Sequence, residues 1–326
     1  MAEQSADFAE FHDELRSVAG DVLAKDATAD WSALVDTGWV GLEVPEEFGG
    51  AGATFAEVAV ICEEIGRAAA SNSYLGSAVL AVGALNALQP SSTRDRLLAA
   101  VASGAQRIAV ALESLDFVPD ADGADLLLVV ADGAVAVVDA AATPVPVVDE
   151  TRRLATVSPR SEDRSELLRF AGDADRAVRR LHERAAVAIA CDSLGLAQAM
   201  LTATVSYAKV RRQFGRPIGS FQAVKHACAD MLVDVTVSRQ LIADAVAAVV
   251  HGSPDSEVAA AMAKSHACDT AVRVTGKAMQ LHGGIGYTWE AGVHVYLKRA
   301  ALNRSLFGSS AAHRSRLAAR YQTKRK

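Results

Sequence analysis

Two adjacent arginines stand at the end of a long, periodically apolar segment, immediately before the turn QFGRPIG. Arg211 and Arg212 are followed by Gly215, Pro217 and Gly219. Taken alone, such a basic pair complements the negative end of a helix dipole, and the glycine and proline stop the helix. The same guanidinium groups also match phosphate oxygens with paired donors. The segment therefore has the chemistry either of a helix terminus or of a phosphate-binding site.

A second segment, QLHGGIGY, begins at Gln280. Its glycines suit a helix C-terminus followed by a tight turn, and they also allow a backbone to approach a ligand closely because no side chain intervenes. The two interpretations are compatible. His282 is interpreted as a packing or hydrogen-bonding residue rather than a catalyst, and Gln222 and Asp230 as structural helix residues.

Helices must position both segments. Apolar residues at three- and four-residue spacing predict helices over roughly the first hundred residues, and Thr54 is a candidate N-cap after a glycine-rich turn. From Arg107 the chain turns to β-branched runs, with Asp132-Gly133 as a hairpin turn between two of them. From about Asp173 the pattern predicts four long helices with short joins, which favours an antiparallel bundle.

The predicted fold is therefore mainly α with a small β part. The expected domains are an N-terminal helical domain at residues 1–106, a shortened middle β domain at residues 107–160, and a C-terminal four-helix bundle domain at residues 161–326. The polar stretch SPRSEDRSE is interpreted as the connector before the bundle.

Composition excludes several classes of function. The net charge of -6 argues against general nucleic-acid binding, and no uninterrupted apolar stretch suggests a membrane span. The four cysteines are far apart, which predicts buried free thiols and neither a disulfide framework nor a metal site. The polar, acidic N-terminus does not resemble a signal peptide. A cytoplasmic protein is expected.

Three segments together resemble the acyl-CoA dehydrogenase family of flavoproteins. They are WSALVDTGWVGLEVPEEFGGAGATFAEVAVICEEIGRA at residues 31–68, YAKVRRQFGRPIGSFQAVKHACADM at residues 207–231, and MQLHGGIGYTWE at residues 279–290. A lone GGxG motif is weak, but the three in this order are specific. The resemblance covers the N-terminal helical domain and the C-terminal bundle.

The resemblance implies FAD as cofactor and α,β-dehydrogenation of an acyl-CoA thioester. It also implies that a subunit lends part of the flavin site to its neighbour. The lent residues would be Arg211 at the pyrophosphate, Gln213 and Phe214 against the flavin nucleotide, and Gln280, Gly283 and Gly284 on the adenosine side.

The catalytic base of the family is missing from this pattern. An ungapped alignment places Phe307 at the usual glutamate position, and a phenyl ring cannot accept a proton. Ala185 occupies the alternative glutamate position on the first bundle helix. Glu183 lies two residues before Ala185, which corresponds to about 200° around a helix, so Glu183 is expected to face a different direction. Glu183 is thus a secondary candidate, and Asp192 a weaker one.

The middle domain also departs from the family. Members carry a Thr-Glu-Pro…Gly-Ser-Asp segment against the flavin ring and substrate, whereas here the nearest vestige is Glu113-Ser114 in a strand-rich region about half the expected size. The chain is therefore expected to lack the wall for its own flavin ring.

The last 36 residues contain no acid, although the protein as a whole is acidic. Arg299 stands where the family normally has an aspartate. Arg299 and Arg304 are candidate contacts for an acidic partner or for the CoA phosphates, and Lys324 to Lys326 are interpreted as a frayed tail. The other basic residues of this end are Lys298, Arg314, Arg316 and Arg320.

The resulting hypothesis is a partner subunit of a heterotetrameric α2β2 acyl-CoA dehydrogenase, similar to those acting on bulky, often steroid side-chain, thioesters in actinobacteria. A full-length subunit would supply the base, and an electron-transfer flavoprotein or similar acceptor would receive the electrons. Two alternatives stay open: an autonomous homo-oligomeric dehydrogenase that uses Glu183 or another base, and a non-enzymatic helical scaffold that has lost flavin.

Overall fold

The computed structural model describes residues 2–25, 28–159 and 166–323. Lys324 to Lys326 and the expected domain boundary after residue 160 lie outside these residues. Helices dominate the described chain, as the sequence predicts. The α-helices are α1 (Ala2–Lys25), α2 (Trp31–Asp36), α3 (Phe55–Ala68), α4 (Val82–Asn86), α5 (Ser92–Ala102), α6 (Ala174–Val210), α7 (Gln222–Val250), α8 (Ser256–His282), α9 (Val293–Asn303) and α10 (Ser310–Thr323).

The start of α3 is fixed by a capping box. Thr54 Oγ1 accepts a hydrogen bond from the Ala56 N–H at 3.1 Å, and Glu57 accepts one from the Thr54 N–H at 2.8 Å. These bonds satisfy donors that a helix N-terminus leaves unpaired. A buried π-helical turn, Leu75–Ala81, leads directly into α4. Thr54 therefore has the capping role that the sequence predicts.

The strands form two small sheets and one short hairpin. A four-stranded sheet has the order β1-β3-β4-β7, a three-stranded sheet has the order β2-β6-β5, and β8 pairs with β9. Asp132 and Gly133 turn between β3 and β4 with φ angles of 49° and 73°, the left-handed backbone of a type I′ hairpin. The strands are β1 (Ile108–Ala111), β2 (Val118–Pro119), β3 (Leu126–Ala131), β4 (Ala134–Val138), β5 (Ala140–Val145), β6 (Leu154–Pro159), β7 (Glu166–Arg169), β8 (Arg212–Gln213) and β9 (Arg216–Pro217).

Two apolar cores hold these parts together. The larger core joins the N-terminal helices, one side of the four-stranded sheet and the bundle helices. The smaller core lies between the two sheets, with Leu127 and Val138 facing Val118 and Val157. The small β part is thus packed on the helices through one sheet and carries its own core on the other side.

The bundle differs from the predicted four long helices. Three long helices, α6 to α8, are present, but two shorter helices, α9 and α10, take the fourth place. The helical conformation is interrupted between α9 and α10 at Phe307 and Gly308. Their φ angles of 53° and 90° cannot continue a right-handed helix.

Helix α6 is long and apolar enough to cross a membrane by length and composition alone, in contrast to the sequence-based expectation. However, 83% of its most apolar window is buried inside the protein. Its apolar surface is therefore used in packing as the central helix of the bundle.

Candidate functional site

The arginine and glycine segments meet at one end of the bundle. Tyr207, in the last turn of α6, stacks on His282, the last residue of α8, with ring centroids 4.5 Å apart. The Tyr207 hydroxyl also donates to the His282 carbonyl at 3.3 Å. Because these residues lie just before Arg211 and Gly283, the contact brings the two segments together on the same surface.

The arginine segment forms an exposed hairpin. The Arg211 N–H donates to the Tyr207 carbonyl at 2.9 Å, the last hydrogen bond of α6. The chain then turns at Phe214 and Gly215, which have positive φ angles. The Phe214 side chain is 92% exposed, and Gln213 is exposed too. Within the described chain no carboxylate pairs with the Arg211 guanidinium, which leaves its donors available to an anion.

The glycine segment presents bare backbone beside this hairpin. A Cβ placed on Gly283 or Gly284 would have no neighbour within 4 Å, whereas one on Gly286 would meet the Met279 carbonyl at 2.8 Å. The first pair therefore faces open space, and the third glycine is required by packing. Gln280 is exposed in the preceding turn. This arrangement admits a ligand directly against the backbone.

The two expected glutamate positions offer no base. Ala185 is fully buried in the core of the bundle, and Phe307 is 8% exposed. The Phe307 carbonyl contacts His313 Nε2 at 3.0 Å, and the adjacent Gly308 carbonyl accepts from the Lys264 ammonium at 3.1 Å. The loop at Phe307 is thus held from both sides by buried polar groups.

Glu183 lies at the other end of the bundle from the glycine segment. Its carboxylate accepts from the Ser256 hydroxyl at 2.6 Å, at the start of α8, while Gly283 follows the end of α8. The 27 residues of α8 correspond to roughly 40 Å. Burial raises the pKa of Glu183, an effect that the Ser256 hydrogen bond opposes.

Asp192 is engaged in a buried ionic network and is not available as a base. It pairs with Arg299 at 2.6 Å and with Arg152 at 2.9 Å, and it accepts from the Asn303 amide at 2.7 Å. Burial alone would raise the pKa of Asp192, but the two guanidinium groups outweigh it and lower the pKa to about 2. A carboxyl group with this pKa is a poor proton acceptor at neutral pH.

The expectation that Arg299 faces a partner or CoA is wrong. Its side chain is 1% exposed and bonded to Asp192. Other basic residues of the acid-free end also find carboxylates elsewhere in the fold. These pairs are Lys298 with Glu150, Arg314 with Asp269, and Arg320 with Asp255. These basic side chains of the C-terminal helices therefore pair with carboxylates from distant segments of the chain.

A histidine–glutamate contact that the sequence did not indicate joins the sheets to the bundle. Glu113, in the loop after β1, lies 3.4 Å from His182 Nδ1, one helical turn before Ala185. The hydrogen bond from His182 lowers the pKa of Glu113. The two residues are 69 positions apart in sequence, so no local pattern could have revealed the pair.

A helical N-terminal part, two small sheets and a long-helix bundle make up this chain, and its N-terminal and C-terminal parts define its class. Residues 2–105 match the N-terminal domain of acyl-CoA dehydrogenases and residues 175–322 match the C-terminal domain. The chain belongs to the acyl-CoA dehydrogenase family, whose members are FAD-dependent oxidoreductases.

Three known proteins illustrate the relationship. Acyl-CoA dehydrogenase IpdE2 of Mycobacterium tuberculosis (strain ATCC 25618 / H37Rv) is 38% identical over 272 residues, which cover 83% of this chain and 79% of that protein. The Tcur3481-Tcur3483 steroid ACAD G363A variant matches with a TM-score of 0.85 at 27% identity, over 95% of this chain and 97% of that one. The ChsE4-ChsE5 complex from Mycobacterium tuberculosis matches in fold, with a TM-score of 0.84 at 23% identity. The match covers 95% of this chain and 97% of that chain.

Proposed function

We propose that this chain is the partner subunit of a hetero-oligomeric, FAD-dependent acyl-CoA dehydrogenase, arranged as an α2β2 tetramer with a full-length subunit. One observation carries the proposal: the surface that would be lent to a neighbour's flavin is exposed and unobstructed, whereas Phe307 fills the expected position of the chain's own base. The chain would complete a flavin site without performing proton abstraction itself.

The lent surface fits a dinucleotide. Arg211 offers paired donors for a pyrophosphate oxygen, and Phe214 offers an exposed aromatic face. Gly283 and Gly284 allow the adenosine end to approach the backbone, and Gln280 borders them. These groups come from the ends of two long packed helices, which hold them in place before the ligand arrives.

The region in which this chain would bind its own substrate leaves little room for an acyl chain. The face of α6 that bears Ala185 continues at helical spacing through Ala188 and Asp192. A cavity of about 20 Å³ lies between Ala188, Asp192 and Tyr74, next to Arg152. Such a volume suits one water molecule rather than an acyl chain. The packing supports a subunit that leaves substrate binding and the base to its partner.

The reaction class follows from the family, and the substrate class from the relatives. When bound, FAD accepts a hydride from the acyl β-carbon. A carboxylate of the full-length subunit would remove the α-proton, and this chain would orient the cofactor. The Tcur3481-Tcur3483 protein is described as a steroid ACAD. A bulky, steroid-type acyl-CoA is therefore the proposed substrate, with an electron-transfer flavoprotein or similar protein as the acceptor.

The test is the flavin absorbance per chain. The protein is purified alone, and again after co-expression with a full-length homologue from a neighbouring gene. We expect no flavin in the chain alone and about one FAD per heterodimer in the complex. A chain that is yellow alone and bleaches on adding an acyl-CoA would establish the autonomous dehydrogenase instead. A colourless complex with every candidate partner would favour the flavin-free scaffold.

A single substitution tests the lent residue. Arg211→Ala removes the proposed pyrophosphate contact and should lower flavin retention by the complex at least tenfold, since charge-assisted hydrogen bonds to phosphate are strong. Arg320→Ala is the matched control because Arg320 pairs with Asp255 on the opposite region of the bundle. Equal flavin content in the two variants would contradict the role of Arg211.

A further inference from the structure

A large cleft opens between the N-terminal helices and the bundle, far from the proposed flavin surface. Its volume is about 940 Å³, within the range of small-molecule sites. One wall comes from the loop between α2 and α3 and from α4, and the other comes from the first turns of α6 and the end of α7. From Arg176 to Arg211 the distance along α6 is roughly 50 Å. The cleft is thus a separate feature of the chain.

Apolar side chains from both walls line the cleft, and they are called its apolar floor. The floor residues are Phe55, Ala87, Ala177, Leu181, Val249 and Val250. Because Phe55 and Leu181 are 2% and 4% exposed, the surface that a ligand would contact comes from the other four, which belong to both walls. Burying such apolar surface is favourable at about 25 cal/mol per Å².

Two arginines line the same cleft without a carboxylate partner among residues 2–25, 28–159 and 166–323. Arg176 and Arg180 lie one turn apart on α6, and both are exposed. One guanidinium nitrogen of Arg180 donates to the Gly252 carbonyl at 3.3 Å, which positions the group and leaves its other donors free. The pair is therefore set beside an apolar surface with unused hydrogen-bond capacity.

A third arginine of the cleft, in contrast, has its hydrogen-bond donors paired within the protein. Arg184 is 6% exposed and donates to Glu43 at 2.9 Å through Nη1 and to the Val79 carbonyl at 2.6 Å through Nε. It also lies over the Phe55 ring, 4.4 Å from the centroid. Arg184 is consequently a structural residue whose donors are used within the protein.

The acidic residues of the cleft do not neutralise the free pair. Glu43 is bonded to Arg184, and Asp173 caps α6 by accepting from the Arg176 N–H at 2.8 Å. Glu46 belongs to the other wall, in the loop before α3. Glu183, on the next turn, interacts electrostatically with Arg180, but among the described residues no salt bridge to Arg176 or Arg180 forms, so both guanidinium groups keep hydrogen-bond donors for a ligand.

We propose that this cleft binds an amphipathic organic anion, with the apolar body on the floor and a carboxylate or phosphate group at Arg176 and Arg180. Guanidinium groups one turn apart can share the oxygens of such a head group through charge-assisted hydrogen bonds. The site does not depend on flavin and does not rest on the proposed function, because none of its residues belongs to the lent surface.

Calorimetric titration of the purified full chain tests the site, with cholate as the probe and its uncharged methyl ester as the comparison. Cholate combines a rigid apolar body with one carboxylate. We expect saturable binding of cholate at one site per chain and at least tenfold weaker binding of the ester. Equal binding of both compounds, or no binding of cholate at millimolar concentration, would overturn the proposal.

Matched variants locate the bound anion. Arg176→Gln and Arg180→Gln should each weaken cholate binding about tenfold, and the double variant more, because each removes a charged donor. Arg179→Gln is the control, since Arg179 lies on the same turn of α6 but does not line the cleft. A second test is Ala177→Trp, which should block the floor. Cholate affinity that is the same in the double variant and the control would place the anion elsewhere and overturn the assignment.

Discussion

At the scale of single residues, the buried ionic network around Asp192 is the most consequential feature of the chain. It joins α6, α9 and the loop before β6 through Asp192, Arg299 and Arg152. Asp192 is the carboxylate that pairs directly with both guanidinium groups, and the buried Asp120 and Asp149 add weaker electrostatic interactions with Arg299. The packing of α6 against α9 and the loop before β6 therefore depends on Asp192.

The first prediction concerns that carboxylate. Asp192→Asn keeps the shape but removes the carboxylate that pairs with both buried guanidinium groups, so the free energy of unfolding should fall by about 3–5 kcal/mol. Urea denaturation measures the change. Asp255→Asn, which breaks the exposed pair with Arg320, should cost no more than about 1 kcal/mol. Similar losses in the two variants would show that the network is not stabilising.

The second prediction concerns Asp120, which is buried beside the π-helical turn. Burial raises its pKa to about 6, while the Gly76 N–H, donating at 2.7 Å, opposes the shift. Because the folded pKa exceeds the ordinary 3.8, the folded state holds the proton more tightly and loses stability as pH rises from about 4 to about 6. The loss is on the order of 3 kcal/mol.

Asp120→Asn should therefore stabilise the protein at pH 7.5 and have little effect at pH 4. The amide oxygen can still accept from Gly76. Thermal unfolding of both proteins at the two pH values measures the difference. A variant that is less stable than the parent at pH 7.5 would mean that the charged carboxylate is favoured in the folded state.

Residue-scale interactions were also the hardest to predict from the sequence. Arg299 has no acid within its own helix, so local patterning suggested an intermolecular role. Its partner, Asp192, is 107 positions earlier. Pairing across such a separation depends on how the helices pack, which periodicity does not encode. By contrast, the exposure of Arg211 and Phe214 follows from a turn sequence that is local.

At the scale of elements, helices α3 and α6 cross at two glycines. A Cβ on Gly66 would overlap the Asp192 backbone, and one on Gly195 would overlap the Glu63 carbonyl. Gly195→Ala should therefore force the helices apart and destabilise the protein by about 1–3 kcal/mol, despite the better helix propensity of alanine.

Gly276→Ala is the matched control for the crossing. Gly276 is in α8, and a Cβ there would have no neighbour within 4 Å. This substitution should stabilise the protein by about 0.5–1 kcal/mol. Urea denaturation of both variants measures the contrast, and stabilisation by Gly195→Ala would refute the close crossing.

Local signals predicted some elements and failed on others. The N-cap at Thr54 and the hairpin turn at Asp132-Gly133 depend on residues only a few positions apart, and the sequence predicted both. The break between α9 and α10 depends on Lys264, whose ammonium holds the Asn303 and Gly308 carbonyls from α8. A buried lysine in another helix gives no local signal, so one continuous helix was predicted.

At the scale of the whole molecule, α7 is the least covered of the long helices. Leu232, Val233 and Val237 are 55%, 62% and 42% exposed. At 100° per residue they lie within about 140° of one another around the helix, so they form one apolar face. The N-terminus of α7 also follows the hairpin that bears Phe214. We therefore propose that these exposed apolar residues of α7 contact the full-length subunit.

The last prediction tests that contact. Val233→Lys places a charge on the apolar face, and a charge without a partner in an interface is costly, so association with the full-length subunit should weaken at least tenfold. Light scattering after size-exclusion chromatography of the co-expressed pair measures the assembly. Leu167→Lys is the control because Leu167 is 64% exposed on β7, away from α7. Because flavin retention depends on association, Val233→Lys should lose FAD together with the partner, whereas Arg211→Ala should lose FAD from an intact complex. A Val233→Lys complex that stays assembled would place the contact on another face.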